Sequence, residues 1–394
     1  MPHPTARLDT APIESDERRS ARMLLALAAV PGVGPARVRA LLDRFGDAAA
    51  VMHADVRALA DVEGIGLKTA QAIARFDDYA TIDDQLRQGE RLGADLVTCA
   101  DDAYPARLRE LYDPPPFLWL RGTLAEADTR AVAIVGTRKA SAYGLRVAEH
   151  FAAGLAERGY TIVSGLAYGI DIAAHRAALD AGGRTLTILG SGVDRIYPQR
   201  HTGTVRRIIE SGQGAVVSEF PLGTKPDAPN FPRRNRIIAG FSLGVLVAEA
   251  RAKGGALLTA YAALEQNREV FAAPAPLFSG NGDGGNSLIQ LGHAKLVTSV
   301  DDLLAEIEGQ QDLFGAASKG RDSAPSSPAE ATPPPEGLNR VEQQLYDALT
   351  PEPMHLDTLC ERAGVDVSNA LVYLLGLELS GHIGQLAGRQ FYRR

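Results

Sequence analysis

The sequence predicts an α/β domain, a doubly wound parallel sheet with helices on both faces, between an N-terminal helical module and a C-terminal unit of three helices closed by a hairpin. Three observations carry this. Between about Gly93 and Ile307, short β-branched or apolar runs alternate with helical stretches of roughly 10–17 residues. Ahead of that region, two Gly-bracketed turns lie 32 residues apart within helical sequence. Behind it, a Ser-, Ala- and Pro-rich segment precedes a compact final unit.

Residues 1–20 are polar, contain proline and lack periodic apolar positions, so a flexible tail is expected. Asp9, Glu14, Asp16 and Glu17 leave no room for an apolar signal core, and no export signal is expected. Residues 21–90 read as a helical module. Its turns, Pro31-Gly32-Val33-Gly34 and Glu63-Gly64-Ile65-Gly66, each lead into a helix that opens on small or basic residues, Pro35-Ala36-Arg37 and Leu67-Lys68-Thr69. Paired turns of this kind match helix-hairpin-helix (SAM-like) domains, whose backbone N–H groups at a helix start suit a phosphate oxygen. Glycine also serves a tight turn between helices with no ligand at all, and the surroundings here are not strongly basic.

Within residues 91–309, strands are expected at Ala131–Val135, Thr161–Val163, Thr185–Leu189, Ala215–Val217, Leu243–Val247 and Val270–Ala272. Near-continuous apolar strands separated by amphipathic helices mark a Rossmann-like sheet buried on both faces. Residues 310–337, with Pro333-Pro334-Pro335, cannot bury a core and read as a linker. In residues 338–394, helices are expected at Leu338–Leu349, His355–Ala363 and Ser368–Leu379. A hairpin follows, through Gly381-His382-Ile383-Gly384 and Gly388-Arg389-Gln390-Phe391-Tyr392, which completes a winged-helix pattern.

With 394 residues, 45% hydrophobic and 23% charged, the chain has ordinary globular composition, which argues against collagen-like, wholly disordered and membrane-embedded classes. The longest apolar run near the N-terminus, Met23–Val30, is too short for a span of roughly 20 residues. Cys99 and Cys360 make neither a disulfide framework nor a zinc site, and fit a reducing cytoplasm. The net charge of −7 hides an asymmetry: Ala131 to Pro274 carries 17 Lys and Arg against 11 Asp and Glu, and the remainder 24 against 37. An anionic ligand responds to that local field rather than to the sum.

The expected strands end in a recurring chemistry. The first runs into Gly136-Thr137-Arg138-Lys139, and Ser141 opens the next helix. The second runs into Ser164-Gly165-Leu166-Ala167-Tyr168-Gly169-Ile170-Asp171, and the third into Gly190-Ser191-Gly192. Ser218-Glu219-Phe220-Pro221 is followed by Asn230-Phe231-Pro232-Arg233-Arg234-Asn235-Arg236. A later strand ends in Glu249-Ala250-Arg251-Ala252-Lys253-Gly254-Gly255. In a parallel sheet these ends share one edge, so Gly, Ser and basic side chains converge on a groove suited to phosphate. No G-x-G-x-x-G follows the first strand, which disfavours ordinary dinucleotide binding. Neither a Walker A sequence nor a metal-ligand spacing appears, so no cofactor or metal is expected. Asp171, His175, Glu219 and Glu249 are the acid–base candidates. Asp171 and His175, at i and i+4, face each other on one helix and need do no more than pair; His175 is otherwise a core histidine and Asp171 a helix cap.

Ala133-Ile134-Val135-Gly136-Thr137-Arg138, Ser164-Gly165-Leu166-Ala167-Tyr168-Gly169-Ile170-Asp171, Phe231-Pro232-Arg233-Arg234-Asn235-Arg236 and Lys253-Gly254-Gly255 resemble the DNA-processing protein A (DprA/Smf) family. So do Asp102-Ala103-Tyr104-Pro105 with Leu108, and Gly285-Asn286-Ser287-Leu288-Ile289. The likeness is close over roughly 101–297, and covers the flanking modules in layout. It implies a non-enzymatic recombination mediator that binds single-stranded DNA as a homodimer, helps load the RecA recombinase, and serves natural transformation where that occurs. The family's basic pocket then falls on Arg138, on Arg233, Arg234, Asn235 and Arg236, and on Lys253. Thr137 stands where the family usually has Ser, and keeps a hydroxyl. Tyr168 stands where Arg is frequent, losing a charge and gaining a ring for base stacking. Phe231 serves equally as core or as a stacking platform beside the arginines. Of Arg233, Arg234 and Arg236, two are expected to face DNA and one to pair with a carboxylate, since three in four positions cannot share a side.

Gln310-Gln311-Asp312-Leu313-Phe314 resembles the pentapeptide by which bacterial proteins dock into the sliding clamp, with Gln310 and Asp312 polar and Leu313 and Phe314 filling an apolar pocket. The expected recognition helix, Ser368–Glu378, has no Lys or Arg, and residues 338–394 carry 5 basic against 7 acidic side chains, so protein contact is favoured there over DNA; Arg389, Arg393 and Arg394 leave the wing a lesser DNA option, and a transcription factor is disfavoured. The rival class is a nucleoside-monophosphate-processing enzyme of the lysine-decarboxylase-like Rossmann group. That group shows Pro-Gly-Gly-x-Gly-Thr where this chain has Ala252-Lys253-Gly254-Gly255-Ala256-Leu257.

Overall fold

The computed structural model describes residues 16–308 and, towards the C-terminus, 339–350, 354–365 and shorter stretches as far as 393. The chain divides into two compact units, Met1–Ser318 and Lys319–Arg394.

The first unit opens with α1 (Asp16–Ala29), α2 (Pro35–Phe45), α3 (Ala48–His53), α4 (Val56–Ala60), α5 (Leu67–Ala74) and α6 (Tyr79–Leu92). Helix α1 starts inside the stretch expected to be a loose tail. Arg18 reaches Glu90 at 3.0 Å and Arg22 forks onto Asp83 at 2.5 and 3.0 Å, pinning α1 along α6. In both turns the first glycine is left-handed, Gly32 at φ 85° and Gly64 at φ 78°. Val33 and Ile65 drop into the core, and Gly34 and Gly66 are the N-caps of α2 and α5.

The sheet module follows with β1 (Asp95–Thr98), α7 (Ala106–Arg109), β2 (Phe117–Gly122), β3 (Ala131–Gly136), α8 (Ala142–Glu157), β4 (Thr161–Ser164), α9 (Ile170–Asp180), β5 (Thr185–Ile188), α10 (Thr202–Glu210) and β6 (Gly214–Ser218). It continues with α11 (Asn230–Phe241), β7 (Gly244–Glu249), α12 (Gly255–Glu265), β8 (Glu269–Ala272), α13 (Asp283–Gln290) and β9 (Lys295–Leu296), then α14 over residues 300–308. The strand order is β1-β2-β6-β5-β4-β3-β7-β8-β9. All six expected strands form, as β3 to β8, and all pair in parallel. Three strands were not expected: β1 and β2 extend the β6 edge antiparallel, Trp119 opposite Ser218 and Leu96 opposite Trp119, and β9 pairs in parallel with β8 at the other edge.

Alternation along β3 divides the core. Ala131, Ala133 and Val135 face α11 and α12, packing with Ile237, Phe241 and Ala260. Val132 and Ile134 face α8 and α9, packing with Phe151, Leu155 and Ala174, and α14 adds Leu303 and Ile307. The helical module seals the β2 side. The Trp119 ring lies so close to α6 that a Cβ on Gly89 would sit 2.3 Å from its Cζ3. The Gln85 amide donates to Leu222 O at 3.1 Å and accepts from Leu222 N–H at 2.8 Å.

In the second unit, α15 (Arg340–Ala348) begins on a capping box: Asn339 Oδ1 accepts the Val341 and Glu342 N–H groups while Glu342 accepts that of Asn339. With α16 (Leu356–Ala363), β10 (Met354–His355), β11 (Ile383–Leu386) and β12 (Gln390–Arg393), it encloses Leu345, Leu359, Ile383 and Phe391. The strands pair antiparallel in the order β10-β12-β11, a wing. Most of the Ser368–Glu378 segment lies outside the described residues.

Candidate nucleic-acid interface

Strands β4, β5 and β6 extend the sheet to one side of β3, and β7 and β8 to the other. An open α/β sheet forms its crevice at the carboxyl ends of the strands, where the winding reverses. A cleft of about 550 Å³ lies there, between the loops after β3, β4 and β7 and the starts of α11 and α12. A larger groove, between α8 and α9, is lined by Glu149, Glu157 and Asp180 with Arg176 as its cation, a field that does not draw an anion.

The β3 loop is shaped by close approach. A Cβ on Gly136 would lie 2.3 Å from Ile170 Cγ1 and 2.7 Å from Glu249 O. The Thr137 N–H donates to Glu249 O at 2.7 Å, and its hydroxyl accepts from the Lys139 N–H at 3.3 Å. This turn leaves Arg138 and Lys139 exposed. Arg138 lies over the Phe231 ring, with Cζ 5.2 Å from the centroid. Phe231 itself is half-buried, resting on Gly190 at the end of β5.

The β4 loop is strained and held. Leu166 is fully buried at φ 60°, a conformation that costs an L residue free energy. Asp171 Oδ2 accepts the Gly165 and Ala167 N–H groups at 3.2 and 3.3 Å. His201 Nδ1–H donates to Leu166 O at 2.8 Å. The Ser164 hydroxyl is spent on Ile134 O at 2.6 Å and faces the core. Gly165 lies flat beneath the Arg234 guanidinium, and a Cβ there would sit 2.3 Å from Nη1. Tyr168 is 38% exposed, with its ring edge-on to His201 at 5.1 Å and the Arg200 guanidinium 5.8 Å from its centroid.

The three arginines at the start of α11 separate. Arg233 is exposed, its guanidinium 5.0 Å from the Phe220 ring centroid. Arg234 is buried in the cleft floor, donating to Gly165 O at 2.7 Å and to Ile188 O, and from Nε to the buried Asn235 Oδ1 at 3.2 Å. Burial pushes the Arg234 guanidinium down to about 10, so it stays charged at neutral pH, with Asp171 as the supporting carboxylate. Arg236 turns away from the cleft into Glu219 and Asp113, the latter at 3.2 Å. Lys253 is exposed, Gly254 is the N-cap of α12 and Gly255 its first residue. With α9 and α11, three helix N-termini thus line the same cleft.

The acid–base candidates are all engaged elsewhere. Glu249 accepts the Ser141 N–H at 2.8 Å and the Ser141 hydroxyl at 2.6 Å, fixing the start of α8. Asp171 and His175 do not pair: Asp171 braces the β4 loop, and His175 Nδ1 bonds Thr185 Oγ1 at 2.6 Å. That hydroxyl donates to Ile162 O at 2.8 Å, so Nδ1 must be the donor. Burial brings His175 down to about 3. Glu219 is pushed up by burial, opposed by Arg236. Among the described residues, no group of His, Cys, Asp and Glu is arranged to hold a metal.

Sequence reasoning placed Arg138, Lys139, Phe231, Arg233, Arg234 and Lys253 on this edge, and the structure brings them there. It overlooked Tyr197 and Arg200, whose signal was an aromatic and a cation soon after Gly190-Ser191-Gly192. On the wing, Arg393 is turned inward, donating to Leu349 O at 2.6 Å and lying over Tyr346, while Arg389 and Arg394 lie outside the described residues. Gln310, Asp312, Leu313 and Phe314 also lie outside them.

Three family models match the chain: DNA recombination-mediator protein A over residues 95–308, the DprA winged helix domain over 329–389, and a SAM-like helix-hairpin-helix tandem over 24–76. Protein Smf of Escherichia coli is 40% identical over 325 residues, covering 82% of this chain and 84% of that protein. DNA processing protein DprA of Streptococcus pneumoniae is 44% identical over 233 residues, 59% of this chain and 81% of that one. The solved structure of the Streptococcus pneumoniae protein superposes with a TM-score of 0.63 at 36% identity, covering 73% of this chain and 97% of that one.

Proposed function

The chain belongs to the DNA recombination-mediator protein A family, and we propose from that membership and from its strand-end cleft that it binds single-stranded DNA there and loads the RecA recombinase onto the strand. One observation carries the proposal: exposed Arg138 and half-buried Phe231 line a cleft closed by three helix N-termini, exposed Lys139, Arg233 and Lys253 stand on the adjoining loops and helix start, and the nearest carboxylates, Asp171 and Glu249, are buried and engaged. Cations and helix starts serve phosphates, and aromatic faces serve unpaired bases. A duplex offers the first and hides the second. The role is in recombination, and in natural transformation where DNA is taken up, in the cytoplasm where RecA and its substrate meet.

A homodimer fits the exposed apolar side chains Leu258, Tyr261, Leu291 and Leu296, gathered about a Tyr261–His293 ring contact. The Gln310–Phe314 segment adds the sliding clamp as a further partner, and capture on immobilised clamp should be lost when Leu313 and Phe314 are both changed to Ala. The binding role is non-enzymatic. Glu249, the carboxylate the rival hydrolase would need, is held by both donors of Ser141. The test is RecA ATPase activity on a single strand precoated with single-strand-binding protein. The chain should restore the activity and Arg138→Ala should abolish the effect; no restoration by the unaltered chain refutes mediation.

A further inference from the structure

Between β3 and α8 the chain makes a short turn, residues 137–141, with Arg138 and Lys139 exposed at its crest. The register of β3 against β7 shifts between Val135 and Gly136, which brings Gly136 opposite Glu249. Glu249 then meets both ends of the turn. Its carbonyl accepts the Thr137 N–H at 2.7 Å, and its carboxylate accepts the Ser141 N–H at 2.8 Å and the Ser141 hydroxyl at 2.6 Å. The crest is held from the loop between β8 and α13. There the half-buried Asn281 donates from Nδ2 to Lys139 O at 3.3 Å and accepts from Arg251 Nε at 2.7 Å. That loop is closed at its base by Asn286, which accepts the Ala275 N–H and donates to Ala275 O, both at 3.0 Å. Behind the turn stands Gly169, where a Cβ would lie 2.3 Å from Thr137 O and 2.9 Å from Arg138 O.

A buried carboxylate beside an anion-binding edge opposes the ligand by its charge alone. Glu249 is 2% exposed, and the start of α8 is cut away to admit it: a Cβ on Gly144 would sit 2.4 Å from Glu249 Oε2. What the carboxylate contributes is therefore order. A loose turn would have to lose its backbone freedom when a phosphate arrives, and a turn fixed beforehand does not.

Resting on the single-strand reading of the cleft, we propose that Glu249 is the positioning residue of the Arg138-Lys139 turn, with Asn281 bracing the crest. Neither side chain touches the strand. Their bonds hold the turn in its binding conformation before DNA arrives, and Asn281 ties Arg251 of the cleft lining to the same frame.

The test is fluorescence anisotropy of labelled oligo-dT with the full chain across a salt series. Glu249→Ala should weaken binding about tenfold by freeing the turn, although it removes a negative charge. Like Arg138→Ala, it should also lower the salt slope by about one. Combined with Arg138→Ala it should cost no more than the worse single change, because both remove the same contact. Glu249→Gln should restore most of the affinity, since its amide oxygen accepts the Ser141 N–H and its NH2 donates to the Ser141 hydroxyl. Gly144→Ala leaves Glu249 in the chain but displaces its carboxylate, and should weaken binding in the same way; it takes the place of Glu249→Ala in the cycle if that variant does not fold. Asn281→Ala should cost about two- to threefold, one exposed hydrogen bond. Tighter binding by Glu249→Ala, or losses that add in the combined variant, would overturn the positioning role and leave the cleft reading standing. No binding of any strand by the parent, or parent-like binding by Arg138→Ala, would instead remove the cleft reading on which it rests.

Discussion

At the residue scale, the cleft depends on one glycine and one arginine packed face to face. Gly165 leaves just enough room for the Arg234 guanidinium to reach the carbonyls of Gly165 and Ile188. Gly165→Ala should therefore destabilise the protein by about 1–3 kcal/mol through overpacking and weaken DNA binding with it, both readable from one urea titration and one binding isotherm. His175 makes a prediction of pH dependence. Its folded-state value of about 3 lies below the unfolded 6.5, so the unfolded chain takes up a proton first as the pH falls. Stability due to this histidine is complete above pH 6.5 and is lost on going down from there. Between pH 7 and pH 5 the loss should be about 2 kcal/mol, and His175→Gln should flatten that part of the stability profile.

At the scale of elements, α6 and β2 are matched to each other. Gly to Ala inside a helix ordinarily stabilises by about 1 kcal/mol. At Gly89 the sign should reverse, because the Trp119 ring occupies the place of the methyl group. A lower melting temperature for Gly89→Ala, with Gln85→Ala lowering it further, checks that the helical module is held on the sheet by this contact. The same elements mark where the sequence was hard to read. Strands β3 to β8 are uniform apolar runs buried on both faces, and such runs announce themselves. Strand β2 begins straight after Pro114-Pro115-Pro116 and pairs antiparallel with β1 and β6, contacts no local pattern encodes. The start of α1 at Asp16 was missed because it depends on Glu90 and Asp83, some 60 to 70 residues away. Glycine and arginine positions along the strand ends located the cleft. The division of labour among Arg233, Arg234 and Arg236 was illegible, since it follows from Glu219, Asp113 and two carbonyls that only the fold brings near.

At the scale of the whole molecule, an acidic chain with net charge −7 carries a basic stretch between Ala131 and Pro274. Folding leaves Arg138, Lys139, Arg233 and Lys253 of that stretch exposed at one sheet edge and turns Arg234 and Arg236 onto internal partners. Affinity for a strand should then fall steeply with salt, despite the overall sign. The most direct measurement is the binding of labelled oligo-dT and of its duplex across a salt series, with Arg138→Ala and Arg233→Ala beside the parent. The single strand should bind more tightly than the duplex, and each substitution should weaken it and lower the salt slope by about one. Parent-like affinity and slope in both variants would place the DNA elsewhere and contradict the assignment of the strand-end cleft.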